Sequence, residues 1–571
     1  MRVLALLPDR CTGCLRCELA CSYVQTGSFQ PAKSVIRVSP FEGYTSYAPY
    51  TCTQCAEGWC MTACPVGAIR INAAGAKDVL DDRCVGCKLC TVACPYGTMF
   101  YDADTHKAYK CNLCDGAPAG PGGGVMPTRH LIIGGGTAGL NAIRTIREED
   151  GGASEITLVS AERPYSRMVL PYYLGQSIAE SHVFTATPAS LAAWKVKTLI
   201  GRRAAALDPE ANALTLDDGT RVEYDDCLIA TGSRAARPPI PGADGPGLHS
   251  FWTLEEARAV IAAVTPGRRV VMVGAGFISF TILNAILSRG ARLTIVEVAP
   301  RILPRMVDAG CAGIVAGWLT RHGVGIRTGV TVTRMEERRG KRLLHVKKGE
   351  ALPADVVIMA TGIRTNLEWL RDSGIDMAES GQGGILVDDH LRSSIRNVYA
   401  AGDVARGRNL ITGAAEVHAI EPTAQEHGRV VGANMAGRDV AYRGSLLMNI
   451  VEVCDLDIAS FGQWDDAAAE VYTAVRPDRS QYRKLLFHGG RLTGAMICGP
   501  AKDIWTTNDV GILKGLVQSG VDLSAWKSHL ERNPFDIKPA FMAAHTPGRL
   551  LPQTLLGRPS SSPDLPQSVN A

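Results

Sequence analysis

Twelve cysteines near the start of this 571-residue chain fall into three complete four-cysteine runs. Cys11, Cys14, Cys17 and Cys21 make the first. Cys52, Cys55, Cys60 and Cys64 make the second, trailed by Pro65; Cys84, Cys87, Cys90 and Cys94 make the third, trailed by Pro95. A shorter pair, Cys111 and Cys114, follows, so fourteen of the eighteen cysteines lie before residue 115. Three thiolates on one tight loop, completed by a fourth from a partner run, surround a cubane iron–sulfur cluster. Such clusters move single electrons. Zinc sites close on four ligands and rarely use repeated runs with a trailing proline. A disulfide framework needs an oxidising compartment, and no export signal is apparent.

Cluster pairing follows from the spacing. The third run is the bacterial ferredoxin pattern, in which each run lends its last cysteine to the other's cluster. Cys52, Cys55 and Cys60 should therefore join Cys94, while Cys84, Cys87 and Cys90 join Cys64. The first run and the truncated fourth leave six ligands, Cys11, Cys14, Cys17, Cys21, Cys111 and Cys114, for one or two more clusters. Three [4Fe-4S] clusters are the minimum; a fourth needs an outside ligand or an incomplete cluster.

These thiolates need a source or sink of electrons. The run His130–Ile133 reads as a buried strand, followed by Gly134-Gly-Gly136-Thr137-Ala138-Gly139 and a helix from Leu140. The first glycine permits the turn, the second admits a pyrophosphate, and the third packs helix on strand. The next strand, Ile156–Val159, leads to Glu162, placed for an adenosine ribose. A second copy runs through Arg269–Val273, Gly274, Gly276 and Ser279, with strand Leu293–Val296 ending in Glu297. An acidic residue there favours the free 2′-hydroxyl of NAD(H). Each copy is followed by a similar strand ending, at Thr231-Gly232 and at Thr361-Gly362. The segment Asn397–Asp403 then sets a carboxylate at a strand end, suited to a ribityl hydroxyl.

The elements around these motifs divide the chain. Residues 1–114 are cluster loops, and 115–128 are a Pro/Gly linker spanning roughly 20 Å as a flexible coil. Residues 129–440 alternate strand-like apolar runs with helical segments and carry both glycine copies. Residues 441–546 form a small α+β C-terminal domain and 547–571 a Pro/Ser-rich tail. The fold class is α/β: two Rossmann-like domains behind an α+β ferredoxin-like head. A formal charge of +4 without a basic stripe argues against nucleic acid. The uncharged stretch Val270–Ser288 is long enough to mimic a membrane helix. Its two glycines and β-branched start read instead as strand, turn and helix. With too short an apolar opening for a signal peptide, the expectation is a soluble, cytoplasmic protein.

On these motifs, residues 129 to about 500 resemble the FAD-dependent pyridine nucleotide–disulfide oxidoreductase family, notably its nitrite-reductase-like and CoA-disulfide-reductase-like branches. The resemblance implies FAD on the first fold, held by Gly134, Gly136, Thr137, Ala138, Gly139, Glu162, Arg167, Thr231, Gly232, Gly402 and Asp403. It implies that residues 129–249 and 366–440 form the first fold and that a second, 250–365, is inserted between them, with NAD(H) held there by Gly274, Gly276, Glu297 and Gly362, and a C-terminal domain of the kind that forms dimer interfaces. The head resembles polyferredoxin subunits serving tungsten and molybdenum aldehyde:ferredoxin oxidoreductases. That implies an oligomeric complex with such a subunit, or with a ferredoxin-like protein.

Departures from the family sharpen the reading. Pro164–Tyr173 matches the branch with a single redox cysteine, yet Met168 stands at that cysteine's position. A thioether forms no thiolate, so flavin electrons need another exit, and the clusters provide one. Ser279 replaces the third glycine of the NAD motif, and Thr281 stands where relatives carry a glutamate near the nicotinamide. Cys227, Cys311, Cys454 and Cys498 are isolated and read as packing residues. His106 reads as a surface histidine and Arg338–Arg342 as a solvated hairpin turn. Trp464, Trp505 and Trp526 read as core or interface anchors. His418, Glu421, Pro422 and His427 mark a helix whose N-terminus supports reduced flavin electrostatically, without a catalytic acid. The expected function is electron transfer between NAD(H), FAD, [4Fe-4S] clusters and a partner redox enzyme. The alternatives are a self-contained NADH-dependent reductase of a small acceptor and a non-catalytic wiring subunit.

Overall fold

The computed structural model describes residues 30–41, 46–72, 75–112, 128–243, 247–338, 340–378 and 383–546, together with 245 and, in the first cysteine run, 11, 13–15, 17–19, 21 and 22. Cys114, most of the linker and the tail lie outside them. The chain forms two compact units: Met1–Pro121 with Phe487–Leu492 and Lys502–Ala571, and Gly122–Leu486 with Thr493–Ala501.

In the second unit the alternating apolar strands form two parallel five-stranded sheets. The first runs, edge to edge, Val398–Ala400, Asp226–Ile229, Arg129–Ile133, Glu155–Ser160 and Val196–Ile200. Ile133 pairs with Ile229 on one side and with Val159 on the other. The inserted sheet runs Leu248–His249, Val356–Met359, Arg269–Val273, Arg292–Val296 and Gly325–Arg327. The central strands Arg129–Ile133, Asp226–Ile229, Arg269–Val273 and Val356–Met359 are near-continuous apolar runs because both faces are covered. Met272, Ile295 and Val357 are completely buried. The stretch that mimicked a membrane span is strand Arg269–Val273 followed by helix Phe277–Ser288, and among the described residues no helix is long and apolar enough to cross a membrane.

The helix after the first glycine turn spans Thr137–Asp150, three residues earlier than Leu140, because the turn's last residues already take helical geometry. It packs against helix Glu421–Met435. A Cβ on Gly428 would meet the Ala138 carbonyl oxygen at 2.2 Å, and one on Gly432 the Ala142 oxygen at 2.6 Å. Small residues one turn apart therefore allow a close crossing, which sets the start of the Glu421 helix beside the first glycine turn.

The antiparallel sheet at the end of this unit orders Met448–Val453, Leu456–Gly462, Arg491–Pro500, Gln481–His488 and Glu470–Arg476. The block expected over 441–546 is divided. Its sheet belongs mainly here, whereas helices Ile504–Ser519, Lys527–Arg532 and Lys538–Ala543 group with the cysteine-rich head. The reason is close packing within that unit: a Cβ on Gly511 would lie 2.5 Å from the Cys94 carbonyl oxygen.

The head is built of two-stranded ribbons and very short helices, Trp59–Thr62 and Leu89–Ala93, each carrying the third cysteine of its run. Two further expectations need correcting. Arg338 and Lys341 do flank a hairpin turn, but Arg342 is buried, its guanidinium lying against Gly245. Cys311 and Cys498 are not isolated: their thiols share a hydrogen bond, which with burial drives the Cys311 pKa well above the usual thiol range. Cys227 is buried and Cys454 half-buried, His106 is exposed and bonds Tyr101, Trp464 is buried, Trp526 is half-buried, and the Trp505 side chain lies outside the described residues.

Candidate functional site

Cys52, Cys55, Cys60 and Cys94 line one cavity, with Trp59, Tyr96 and Met99 as apolar walls. Three of these thiols come from the second run and the fourth, Cys94, from the third. A loop residue sequence reading missed, Gln54, organises the nest from a left-handed conformation at φ 50°. Its Oε1 accepts from the Lys77 amide at 2.9 Å and its Nε2 donates to the Cys111 carbonyl at 2.6 Å. Around the second nest, Cys87, Cys64, Cys60 and Cys84 lie close enough to Cys90 to raise its pKa further, after burial has already raised it. Cys21 packs with Cys52 against buried Cys111 and Val35, so the first run meets the truncated fourth.

The donor set can be tested against its expected occupant. A single zinc ion draws its thiolates to about 2.3 Å from one point. Among the described residues no group of three or more His, Cys, Asp or Glu side chains is placed to hold a single metal ion. Thiols ringed around a cavity suit a multi-atom cluster instead. Several sulfurs already accept donors: Cys52 from the Gln54 amide, Cys64 from the Ala68 amide at 3.1 Å and Cys84 from the Ala108 amide. Such bonds favour anionic sulfur and tune a cluster's potential. Enclosure by the chain, reinforced by Cys94 and Cys52, pushes Cys55 up to about 12.

The FAD expectation is tested at the first glycine turn. Gly134 adopts φ 116°, and a Cβ there would strike the Ala230 carbonyl oxygen at 2.1 Å. A Cβ on Gly139 would strike the Gly134 oxygen at 2.0 Å. Gly136 is different: its Cβ would meet nothing within 4 Å, so space is left where a pyrophosphate must approach. Ser160, absent from the sequence reading, accepts the Gly135 amide at 3.2 Å and shapes the loop. Glu162 accepts from Tyr165 at 2.9 Å and lies 3.4 Å from Arg167, which in turn donates to the Trp252 carbonyl at 2.5 Å.

Asp403 accepts from the Ser233 hydroxyl at 2.5 Å, and its carboxyl, enclosed by protein yet partly open to solvent, is raised above the usual range mainly by that enclosure. Glu421, the first residue of its helix, is similarly half-buried. Desolvation pushes it up to about 7, countered by a Thr137 hydrogen bond and reinforced by Asp403. Two enclosed carboxyls with an open side, next to the Gly136 gap, fit a hydroxyl-bearing cofactor. Thr231 and Gly232 are fixed by Asn366, which exchanges hydrogen bonds with the Thr231 hydroxyl and carbonyl. His427 is buried and donates nothing to this cleft; its Nδ1 accepts the Gly402 amide.

The inserted fold repeats the geometry. Gly274 sits at φ 103° with its virtual Cβ 2.4 Å from the Ala360 oxygen, and the Cβ positions of Gly276 and Gly362 face open space. Ser279 is completely buried, and its hydroxyl donates to the Gly274 oxygen at 2.5 Å. The substituted serine thus replaces a glycine contact with a hydrogen bond, and helix Phe277–Ser288 forms normally. Glu297 accepts the Ala275 amide at 2.6 Å through one oxygen and the Ala299 amide at 2.8 Å through the other. Each oxygen keeps a lone pair for a ribose hydroxyl. Thr281 caps back onto the Ile278 carbonyl. Met168 is half-buried in the short turn Arg167–Val169.

Comparison with known proteins agrees with this geometry. Residues 128–419 match the pyridine nucleotide-disulphide oxidoreductase family model, and residues 448–510 a rubredoxin NAD+ reductase C-terminal domain. Residues 8–24 match a 4Fe-4S binding domain and 44–118 a 4Fe-4S dicluster domain. The epsilon subunit of NADH-dependent phenylglyoxylate dehydrogenase from Aromatoleum evansii is 31% identical over 72% of this chain and 96% of its own length. Rubredoxin-NAD(+) reductase of Pseudomonas putida is 29% identical over 50% of this chain and 73% of its own length. Among solved structures, an NAD-dependent persulfide reductase from A. fulgidus superposes with a TM-score of 0.64 at 29% identity, covering 69% of this chain and 77% of that one. The first of these matches spans both glycine turns and the iron–sulfur matches span the cysteine runs, and the chain belongs to the pyridine nucleotide-disulphide oxidoreductase family as an FAD-dependent NADH oxidoreductase with 4Fe-4S domains.

Proposed function

We propose that this chain passes electrons between NAD(H) and a partner redox enzyme by way of FAD and at least three [4Fe-4S] clusters. The partner proposed is a tungsten or molybdenum aldehyde oxidoreductase subunit, with a ferredoxin-like protein as the simpler acceptor. The observation that carries the reading is Met168. The position that would relay electrons through sulfur holds a thioether, in a chain that also carries a head of cluster ligands. FAD, when bound, trades two electrons with NADH as hydride and gives them up singly, as cubanes require.

The chain's own residues divide the remaining work. Gly136 and Gly276 leave room for the two pyrophosphates, Glu162 and Glu297 address the adenosine riboses, and Asp403 takes a ribityl hydroxyl. Cys52, Cys55, Cys60 and Cys94 hold one cubane, and Cys84, Cys87, Cys90 and Cys64 a second. Cys21 beside Cys111 supports a third from the outer runs. The relative from Aromatoleum evansii is named as a dehydrogenase subunit, which supports work inside a multi-subunit complex.

Anaerobic transfer from NADH to a ferredoxin and to ferricyanide separates the steps. In Cys60→Ser and Cys94→Ser, ferredoxin reduction should fall at least tenfold while ferricyanide reduction persists. Unchanged ferredoxin reduction overturns the route. Metal analysis of the native complex tests the partner: tungsten or molybdenum with aldehyde-dependent NAD+ reduction supports it, and their absence rejects it.

A further inference from the structure

The cavity ringed by Cys52, Cys55, Cys60 and Cys94 is also lined by two lysines, Lys77 and Lys110, and, among the described residues, by no acidic side chain. Both lysines are buried, each only 3% exposed. The Lys110 ammonium is fixed: it donates to the Cys111 carbonyl at 2.7 Å, to Gln54 Oε1 at 3.3 Å and to the Lys77 carbonyl. The Lys77 side chain crosses the turn at Gly58, where a Cβ would lie 2.7 Å from its Cε. Their charges reach different thiols: Lys77 acts on Cys55 and Lys110 on Cys60, each favouring the anion. Glu57, in the same loop, is buried too but does not line the cavity.

The neighbouring nest is furnished differently. Lys88 holds its ammonium 4.3 Å over the Tyr101 ring, and Lys107 donates to the Cys84 backbone carbonyl. Burying an ammonium is costly unless negative charge offsets it. Four thiolates on an anionic cubane supply that charge, and one-electron reduction adds one more negative charge within the same low-dielectric enclosure.

We propose that Lys77 and Lys110 are built-in countercharges that raise the reduction potential of the cubane held by Cys52, Cys55, Cys60 and Cys94. The proposal rests on the iron–sulfur reading of the head and adds to it which residues set the potential of one cluster. Both are positioning residues, acting on the cluster through space and not as ligands.

The test is a potentiometric titration of the full-length protein followed by electron paramagnetic resonance, with Cys94→Ser identifying this cluster's signal. Lys110→Met should disfavour reduction at least tenfold, a downward shift of about 59 mV for a one-electron couple. Lys77→Met should shift it in the same direction, and Lys110→Arg should stay near the wild type. If both methionine variants keep the wild-type midpoint, the countercharge role is refuted. It is equally refuted if Lys110→Arg falls as far as Lys110→Met, since the lysine's geometry and not its charge would then matter. A wild-type protein without any cluster signal fails the iron–sulfur reading itself, and the proposal with it.

Discussion

Adding one methyl group at Gly136 separates cofactor binding from folding. Gly136 sits at φ −77° and ψ −169°, a conformation open to alanine, and a Cβ there meets nothing within 4 Å. Gly136→Ala should therefore fold. The methyl would nonetheless occupy the path of the FAD pyrophosphate. Overpacking costs about 1–3 kcal/mol, and loosening one charge-assisted amide contact costs about 1.5–3 kcal/mol more. A combined loss of about 2.5–6 kcal/mol weakens binding by roughly two to four decades. Gly139→Ala is the contrasting case, because its Cβ would sit 2.0 Å from a backbone oxygen and the helix itself must move. Gly276→Ala, equally open, should spare FAD and weaken NADH instead. The assay is FAD titration of deflavinated protein by fluorescence quenching, alongside circular dichroism and iron content. Wild-type FAD affinity in a folded Gly136→Ala protein refutes the placement of the cofactor on this turn.

Crossed ligation predicts that Cys60→Ser and Cys94→Ser remove the same resonance signal, whereas Cys64→Ser and Cys90→Ser remove a different one; variants that group by run would contradict it. Glu421 gives a pH dependence in flavin-free protein. Its folded pKa of about 7 exceeds its usual 4.5, so its contribution is fully present below pH 4.5 and is lost as pH rises through 7. The loss amounts to about 2 kcal/mol once partial exposure is allowed for. Glu421→Gln should flatten the pH 5–8 stability profile measured by urea unfolding, and parallel profiles would refute the assignment. With Met168 in place of a redox thiol, NADH-dependent reduction of CoA disulfide should stay at background; robust turnover would reopen the sulfur route.

What could be read from sequence was chemistry carried by residue types at short spacing. The cysteine runs and both glycine turns are legible because a cluster or a pyrophosphate demands particular atoms within a few residues. The placement of Cys94 beside Cys52, Cys55 and Cys60 around one cavity is legible for the same reason. What escaped depends on contacts far along the chain. Gln54 bridges to Cys111 across 57 positions, and Lys110, an ordinary-looking cation in sequence, is buried by strands that no local pattern announces. Helix Ile504–Ser519 groups with the head, and Gly511 permits its close approach to Cys94, more than 400 residues earlier. The Cys311–Cys498 meeting is of the same kind. Ser279 looked like a weakened motif, yet its hydroxyl found the one carbonyl that makes serine acceptable.

The central claim is that electrons entering as hydride leave through the clusters. Anaerobic NADH titration of the purified chain, with flavin absorbance and paramagnetic resonance recorded on the same sample, tests it most directly. The account predicts flavin bleaching together with growing cluster signals, and uptake of more than two electrons per chain. Uptake that stops at two, with clusters silent although dithionite reduces them at potentials NADH can reach, would contradict it.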